Sequence, residues 1–287
     1  MKNVIELIKS RLDELGFHLN PTSRLGKQIN VYVDPKGTLP QILEPNHELF
    51  QTAVEGERDL KQVAYALKHL VGFPPEELRK RLRLMVADAV LPQDSPQDSP
   101  GRDAQFELFV AAACVKGGLV TVFDEKPDLR CDFSGISLGV AIKRIKAPPE
   151  TFENRLQQRV REAGRQIEES GIPGVIVADI SQSLNPTNWR IPLEVNDARF
   201  DAAVRSNWKS FRSRFEHSLT VWTKGKPVRG IVLLDHVLRS LPNDVWRLEL
   251  SFWSKCLSPH NQRRRREFER FDTCISEALM NPGPIVG

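Results

Sequence analysis

The stretch PDLRCDFSGISLGVAIKRI at residues 127–145 decides the fold of this chain. It holds two runs in which apolar side chains alternate with polar or small ones, which is typical of strands with one buried face. A two-residue turn at Gly135-Ile136 would join them as a hairpin. That register places Asp128 opposite Lys143, and directly opposed side chains have Cβ atoms about 4.5–5.5 Å apart. The hairpin therefore predicts an acid and a lysine together on one face.

The sequence on either side of this hairpin predicts the rest of an α/β core. Residues 103–116 predict a helix closed by Gly117-Gly118, and residues 119–125 predict a strand. Downstream, residues 150–170 predict a charged amphipathic helix. The near-continuous apolar run at 175–181 predicts a strand buried on both faces. This order of elements predicts a mixed central sheet flanked by helices.

A mainly helical module is predicted ahead of the core, over residues 1–90, with KQINVYV at 28–34 as a short strand. Residues 91–102, LPQDSPQDSPGR, are rich in Pro, Ser and Asp and predict a linker. The core domain is then expected to span 103–287. Within it we predict helices at 201–217 and 261–280 and strands at 219–222 and 229–234, whereas 182–200 receives no assignment.

Composition limits the classes of protein that this sequence fits. The chain has 287 residues and a net charge of +4, so a nucleic-acid site must come from local clustering of charge. Its first sixteen residues lack the apolar core of a signal peptide, and no stretch predicts a membrane span. Its four cysteines form no CxxC pair, which argues against a zinc site or a disulfide framework. We therefore expect a cytoplasmic protein without membrane contact.

Residues 101–180 resemble the PD-(D/E)XK, or restriction-endonuclease-like, nuclease superfamily. Pro127-Asp128 matches the PD of that family, and Ala141-Ile142-Lys143 occupies the place of its (D/E)XK. Glu107 lies on the preceding predicted helix, where many members carry a metal-binding glutamate. Gln166 lies on the following one, where some members carry a functional glutamine. The resemblance depends on the order of these short pieces along the predicted elements.

The resemblance implies a nuclease site that works with Mg²⁺ or Mn²⁺. Asp128 and Glu107 are its implied metal ligands, and the Ile142 carbonyl is a further one. Lys143 is the implied catalytic lysine, and Gln166 an implied site residue. Carboxylate and carbonyl oxygens suit Mg²⁺, and a bound metal stabilises developing charge and acidifies a water. The implied reaction is hydrolysis of phosphodiester bonds, and we expect DNA as the substrate.

Ala141 departs from the family, which has Asp or Glu at that position. Asp132 is a poor substitute, because four residues of strand separate it from Asp128 by ~13 Å. Arg130, which the register places opposite Ala141, is another candidate for the vacated space; it would repel Mg²⁺ and bridge Asp128 and Glu107. Two hypotheses stay open: a metal-dependent nuclease, and a catalytically impaired relative that binds nucleic acid or a protein partner.

The densest basic cluster is the run Arg263–Arg266 in QRRRREFER. Guanidinium groups bind phosphate in a bidentate manner, so this run is a candidate nucleic-acid contact. The alternative is a solvated helix face in which Glu267 and Glu269 pair with the arginines. If the run binds no phosphate, a third hypothesis gains weight: a structural or regulatory protein without nucleic-acid contact. A homodimer also stays open, because family members are often dimers.

Overall fold

A computed structural model describes residues 1–33, 49–86, 88–90, 99–148, 150–184, 190–191, 197–241 and 245–281. Two compact units divide these residues. The first comprises Met1–Lys116 together with Asn281, and the second comprises Gly117–Met280. The predicted helix at 103–116 thus belongs to the first unit, whereas the sequence assigns it to the nuclease-like domain.

The described residues of the first unit are mainly helical. Their helices are α1 Lys2–Glu14, α2 Arg24–Val33, α3 Phe50–His69, α4 Pro75–Met85 and α5 Pro100–Lys116. The strand predicted at 28–34 is wrong, because residues up to Val33 belong to α2, which buries Leu25 and Ile29 one turn apart. Helix α5 begins at Pro100, three residues before its predicted start, and Arg102 in its first turn is buried. Residues 91–98 of the predicted linker lie outside the described residues.

A buried ionic network connects α2, α3 and α5 around Asp59, which is fully buried. Its carboxylate pairs with the Arg24 and Arg58 guanidinium groups and accepts a hydrogen bond from Gln28 Nε2 at 2.9 Å. Burial disfavours ionisation of Asp59, but the guanidinium groups of Arg24, Arg58 and Arg102 outweigh it and hold its pKa well below the usual range. The network therefore needs Asp59 ionised.

The second unit contains one mixed sheet. Its described strands are β1 Val120–Phe123, β2 Leu129–Phe133, β3 Ile136–Arg144, β4 Gly174–Asp179, β5 Arg190–Ile191, β6 Val228–Leu241 and β7 Val245–Cys256. Strands β1, β2 and β3 pair antiparallel, β3, β4 and β6 pair parallel, β5 pairs parallel with β6, and β7 pairs antiparallel with β6. The prediction that the four strands at 119–125, 128–134, 137–145 and 175–181 share one sheet is confirmed.

Helices α6 Phe152–Glu169, α7 Ser181–Leu184, α8 Asp197–Trp222 and α9 Gln262–Met280 complete this unit. One face of the sheet, with Ala141 and Ile176, packs against apolar residues of α6 and α8. Helix α9 packs against β6 and β7. Ser254 Oγ of β7 donates to Asp272 of α9 at 2.8 Å, and the neighbouring Trp253 packs on the α6–α8 cluster. Because successive side chains of a strand point to opposite faces, α9 covers the other face.

Two predictions in the last third of the chain need correction. Residues 219–222 continue helix α8 and form no strand, because Leu219 is buried on the same face as Phe215 and Phe211, one turn apart along the helix. Strand β7 was not predicted, although it pairs with β6 along its whole length. The helix predicted at 261–280 and the strand predicted at 229–234 are present as α9 and part of β6.

Candidate active site

The turn between β2 and β3 sets the register of the candidate site. Ser134 and Gly135 both have positive φ, 48° and 75°, as a type I′ turn requires. Phe133 therefore pairs with Ile136, and Leu129 with Val140. The predicted turn at Gly135-Ile136 is wrong, because the observed turn lies one residue earlier, at Ser134-Gly135. Each residue of β2 therefore pairs with a residue of β3 two positions earlier than predicted. Such a shift keeps every side chain on its predicted face, because side chains alternate with a period of two.

In the observed register Asp128 lies opposite Ala141 and not opposite Lys143. One step beyond the Leu129–Val140 pair, Asp128 lies beside Ala141, and its Oδ2 accepts the Ile142 N–H at 2.6 Å. Lys143 is the diagonal neighbour, with Nζ 3.8 Å from Asp128 Oδ2. The acid and the lysine thus meet as predicted, but through a diagonal contact.

Asp128 is a largely buried carboxylate, with 16% of its side chain exposed. Burial raises its pKa above the ordinary value for aspartate, whereas the Lys143 ammonium and the Ile142 N–H act in the opposite direction. Because ionisation of this carboxylate is costly in the free protein, a further cation beside it would stabilise its ionised form. Such a perturbed acid beside a lysine is a common feature of functional sites.

Glu162 of helix α6 is a site residue that the sequence analysis missed. Its Oε1 is 3.8 Å from Lys143 Nζ, so the lysine lies between the carboxylates of Asp128 and Glu162. Arg159 Nη1 donates to Glu162 Oε2 at 3.0 Å and fixes the orientation of this carboxylate. A signal was present in the sequence, because Glu162 lies one helical turn before Gln166 and therefore on the same side of the helix.

Gln166 is positioned by α6 beside Glu162, and its Oε1 is a buried acceptor without a hydrogen-bond partner among the described residues. Leaving such an acceptor unpaired costs ~1–3 kcal/mol. The side chain therefore has an unused acceptor on the part of α6 that carries Glu162. A water, a cation or a donor on a ligand would satisfy it.

The Ile142 backbone also faces the candidate site. In a β-strand the N–H and C=O of one residue leave the same edge, and the Ile142 N–H bonds to Asp128. Strand β2 begins at Leu129, which pairs with Val140, so the Ile142 carbonyl lies beyond the end of the β2 ladder. This placement agrees with a role as an oxygen ligand.

Ala141 is fully buried in the apolar cluster between the sheet and α6. The position where the family carries an acid is thus part of the hydrophobic core. Arg130 does not fill this position, because it pairs with Gly139 across the hairpin and its Nε lies 3.8 Å from Asp132. The hypothesis of a bridging Arg130 opposite Ala141 is wrong by the same two-residue shift.

Glu107 lies on α5 in the first unit. Its Oε2 is 3.6 Å from Arg81 Nε, within the same unit. The predicted pairing of Glu107 with Asp128 in one metal site stays a prediction. The described contacts give Asp128 a different second carboxylate, Glu162.

The run Arg263–Arg266 is exposed in the first turns of α9. Arg263 and Arg265 pair with Glu267 and Glu269, one turn on, as the solvated-face alternative predicts. Arg264 and Arg266 form no ion pair with another described residue. Cations near a helix N-terminus oppose the helix dipole by ~0.3–1 kcal/mol each, so helix stability gives no reason for Arg264 and Arg266.

Comparison with known proteins gives no family for this chain. No protein-family model, curated protein or solved structure matches it. Within the part of the chain that the structure describes, no group of three or more His, Cys, Asp or Glu is placed to hold a metal ion. No described helix is long and apolar enough to cross a membrane. The geometry around Asp128, Glu162 and Lys143 is therefore the basis for a functional proposal.

Proposed function

We propose that this protein is a restriction-endonuclease-like nuclease that hydrolyses phosphodiester bonds, with DNA as the expected substrate and Mg²⁺ or Mn²⁺ as cofactor. The observation that carries the proposal is the position of Lys143 Nζ, 3.8 Å from both Asp128 and Glu162, at the end of the β2–β3 hairpin. Glu162 supplies a second carboxylate in place of the acid that the nuclease superfamily carries at the Ala141 position.

The residues present fit a divalent metal ion in their chemistry. Asp128, Glu162 and the Ile142 carbonyl would hold it, since Mg²⁺ takes oxygen ligands and completes its shell with waters and substrate phosphate. The buried, unpaired Gln166 Oε1 is a further acceptor on the same side of α6. When bound, the metal would stabilise negative charge on the phosphate and acidify a water.

Each side chain then has a distinct role. Asp128 and Glu162 would hold the metal through their carboxylate oxygens. Lys143, with 10% of its side chain exposed, keeps its ammonium next to both carboxylates and would bind the attacking water or a phosphate oxygen. Arg159 holds the Glu162 carboxylate in place. Positioning and electrostatic stabilisation of this kind account for most of the catalysis in phosphoryl transfer.

The proposal is tested by cleavage of labelled single- and double-stranded DNA and RNA, with Mg²⁺, with Mn²⁺ and with EDTA. We expect slow, metal-dependent cleavage by the wild type and its loss in Asp128→Ala and Lys143→Ala. Asp201→Ala and Lys209→Ala remove the same charges from exposed positions of α8 and should cleave normally. Metal-dependent cleavage that is equal in all five proteins would refute the assignment.

A catalytically impaired protein that binds nucleic acid or a protein partner is the second candidate. The same contacts favour it, because the Lys143 ammonium already pairs with both carboxylates and Ala141 belongs to the core. A wild type that binds nucleic acid but cleaves none, with no Mn²⁺ binding in calorimetry, would establish this candidate over the first.

A further inference from the structure

A groove of about 510 Å³ lies between the outer surface of α6 and the C-terminal end of α8 with the segment that follows it. Its walls include Asn154, Gln157, Arg161, Arg165, Trp222 and Lys226. This volume is within the usual range for ligand sites, ~300–1,000 Å³. Lys226 packs over α6, with its Cγ 3.5 Å from the position that a Cβ on Gly164 would take.

The groove is separate from the candidate active site. The groove lining includes Gln158 and Arg165, which are helical neighbours of Glu162, but none of Asp128, Lys143, Glu162 and Gln166 lines the groove. The groove also lies on the α6 side of the sheet, and the arginine run of α9 lies on the opposite side. None of these groove residues has a role in the site around Asp128.

Positive charge in the groove is only partly neutralised. Lys226 pairs with Glu168. Arg161 and Arg165 are both exposed, and neither forms an ion pair with another described residue. They lie one helical turn apart, about 6 Å along the axis. The Arg165 charge also acts on the Glu169 carboxylate, one helical turn away, but neither guanidinium group forms a direct ion pair with another described residue. Two adjacent guanidinium groups of this kind suit two successive phosphates, each bound by its own fork of donors.

Trp222 adds a fixed aromatic surface to this charge. With its amide oriented to satisfy both neighbours, Gln157 Oε1 accepts the Trp222 Nε1–H at 2.9 Å and an Arg161 Nη2–H at 3.1 Å. Gln157 thus ties the indole edge to one of the two arginines. A held indole loses little freedom when a base stacks on it, and base–aromatic stacking contributes ~1–3 kcal/mol per base.

We propose that this groove binds single-stranded nucleic acid, with one base stacked on Trp222 and the flanking phosphates on Arg161 and Arg165. A duplex keeps its base faces stacked inside and offers none to the indole, whereas an unpaired strand does. The groove is open along α6, which suits a continuous strand better than an isolated nucleotide. Binding here requires neither metal nor cleavage.

The test is binding of a fluorescein-labelled twelve-nucleotide oligo(dT) in EDTA, measured by anisotropy over a range of salt concentrations. Trp222→Leu should weaken binding roughly 5- to 150-fold, and Trp222→Phe should keep most of the affinity. The double variant Arg161→Ala/Arg165→Ala should lower the log–log salt slope by about 1.4, since each phosphate contact on a single strand contributes about 0.7. The matched control is Arg205→Ala/Lys209→Ala, which removes equal charge from exposed α8 and should change little.

Several outcomes would overturn the proposal. An equal loss in the control and the groove double variant would show a general charge effect. Equal competition by deoxythymidine monophosphate, or by polyglutamate, would indicate a nucleotide pocket or a nonspecific anion surface. The arginines are exposed, so their double variant should stay folded even if Trp222→Leu does not. Because the assay contains no divalent metal, its failure leaves the nuclease proposal standing, and success here does not support cleavage.

Discussion

Replacing Glu162 with glutamine tests the residue on which the proposed metal site most depends. At 3.8 Å, the Glu162–Lys143 distance, a carboxylate attracts a unit cation by about 4 kcal/mol at an effective dielectric constant of 20. The Glu162 side chain is 31% exposed, so solvent screening reduces this attraction to about 2 kcal/mol. The double charge of Mg²⁺ raises it again. A loss of roughly 2–4 kcal/mol corresponds to roughly 30- to 1,000-fold in cleavage rate at limiting Mg²⁺.

The assay is the initial cleavage rate of labelled DNA across a Mg²⁺ titration. Glu162→Gln should shift the Mg²⁺ midpoint upwards and recover part of its rate at high metal, because glutamine keeps the shape and can still accept from Arg159. Glu169→Gln is the matched control: it lies on the same helix, and its side chain is 52% exposed in a surface pair with Lys126. A Glu162→Gln titration identical to wild type, alongside an inactive Asp128→Ala, would refute the role of Glu162.

Four further predictions concern charge and packing. Burial raises the pKa of Asp128 in the folded state, so the stability of the wild type falls as the pH rises from the unfolded-state pKa through the folded-state pKa. Asp128→Asn should therefore have a higher melting temperature than the wild type at pH 7, and the same melting temperature below about pH 4. Asp59→Asn should lower the free energy of unfolding in urea by about 3–5 kcal/mol, because it leaves buried guanidinium groups without a carboxylate. A loss no larger than that of a surface substitution would contradict this. Ala141→Glu should unfold at a lower temperature than its control Ala141→Met, which overpacks the core without adding charge and should destabilise it by about 1–3 kcal/mol. Equal melting temperatures, or faster cleavage by Ala141→Glu, would show that the space accepts an acid. Arg264→Ala/Arg266→Ala should lower the salt slope of duplex DNA binding by about 1.8, and an unchanged slope would show a solvated face.

Local periodicity was enough to predict the α/β core. The alternation in 128–133 and 137–143 and the apolar run at 175–181 each lie within one element, and the structure has strands there in one sheet. Local periodicity is misleading at 28–34, where alternating Ile29, Val31 and Val33 predict a strand but residues up to Val33 form a helix. There the helix is selected by contacts with α3, which is distant in sequence, and such contacts override local propensity.

The candidate site shows the same division. The sequence put Asp128 and Lys143 on one face, and this was confirmed despite a two-residue error in register, because side-chain alternation is unaffected by an even shift. Strand alternation does not bear on Glu162, and its one-turn spacing from Gln166 indicates only that the two share a side of α6. Which side of α6 faces β3 depends on the rotation of the helix about its axis, and that is decided by the packing of Leu156, Val160 and Ala163 against the sheet.

At Ala141 the difference between what the sequence determines and what the tertiary structure determines is clearest. The sequence alone determined that no carboxylate stands at this position of the hairpin. Only the structure shows that the position belongs to the hydrophobic core and that Glu162 brings a carboxylate to Lys143 from the neighbouring helix. The physical reason is that hydrophobic periodicity is a property of neighbouring residues, whereas the distance between a strand lysine and a helix acid is set by how two elements pack.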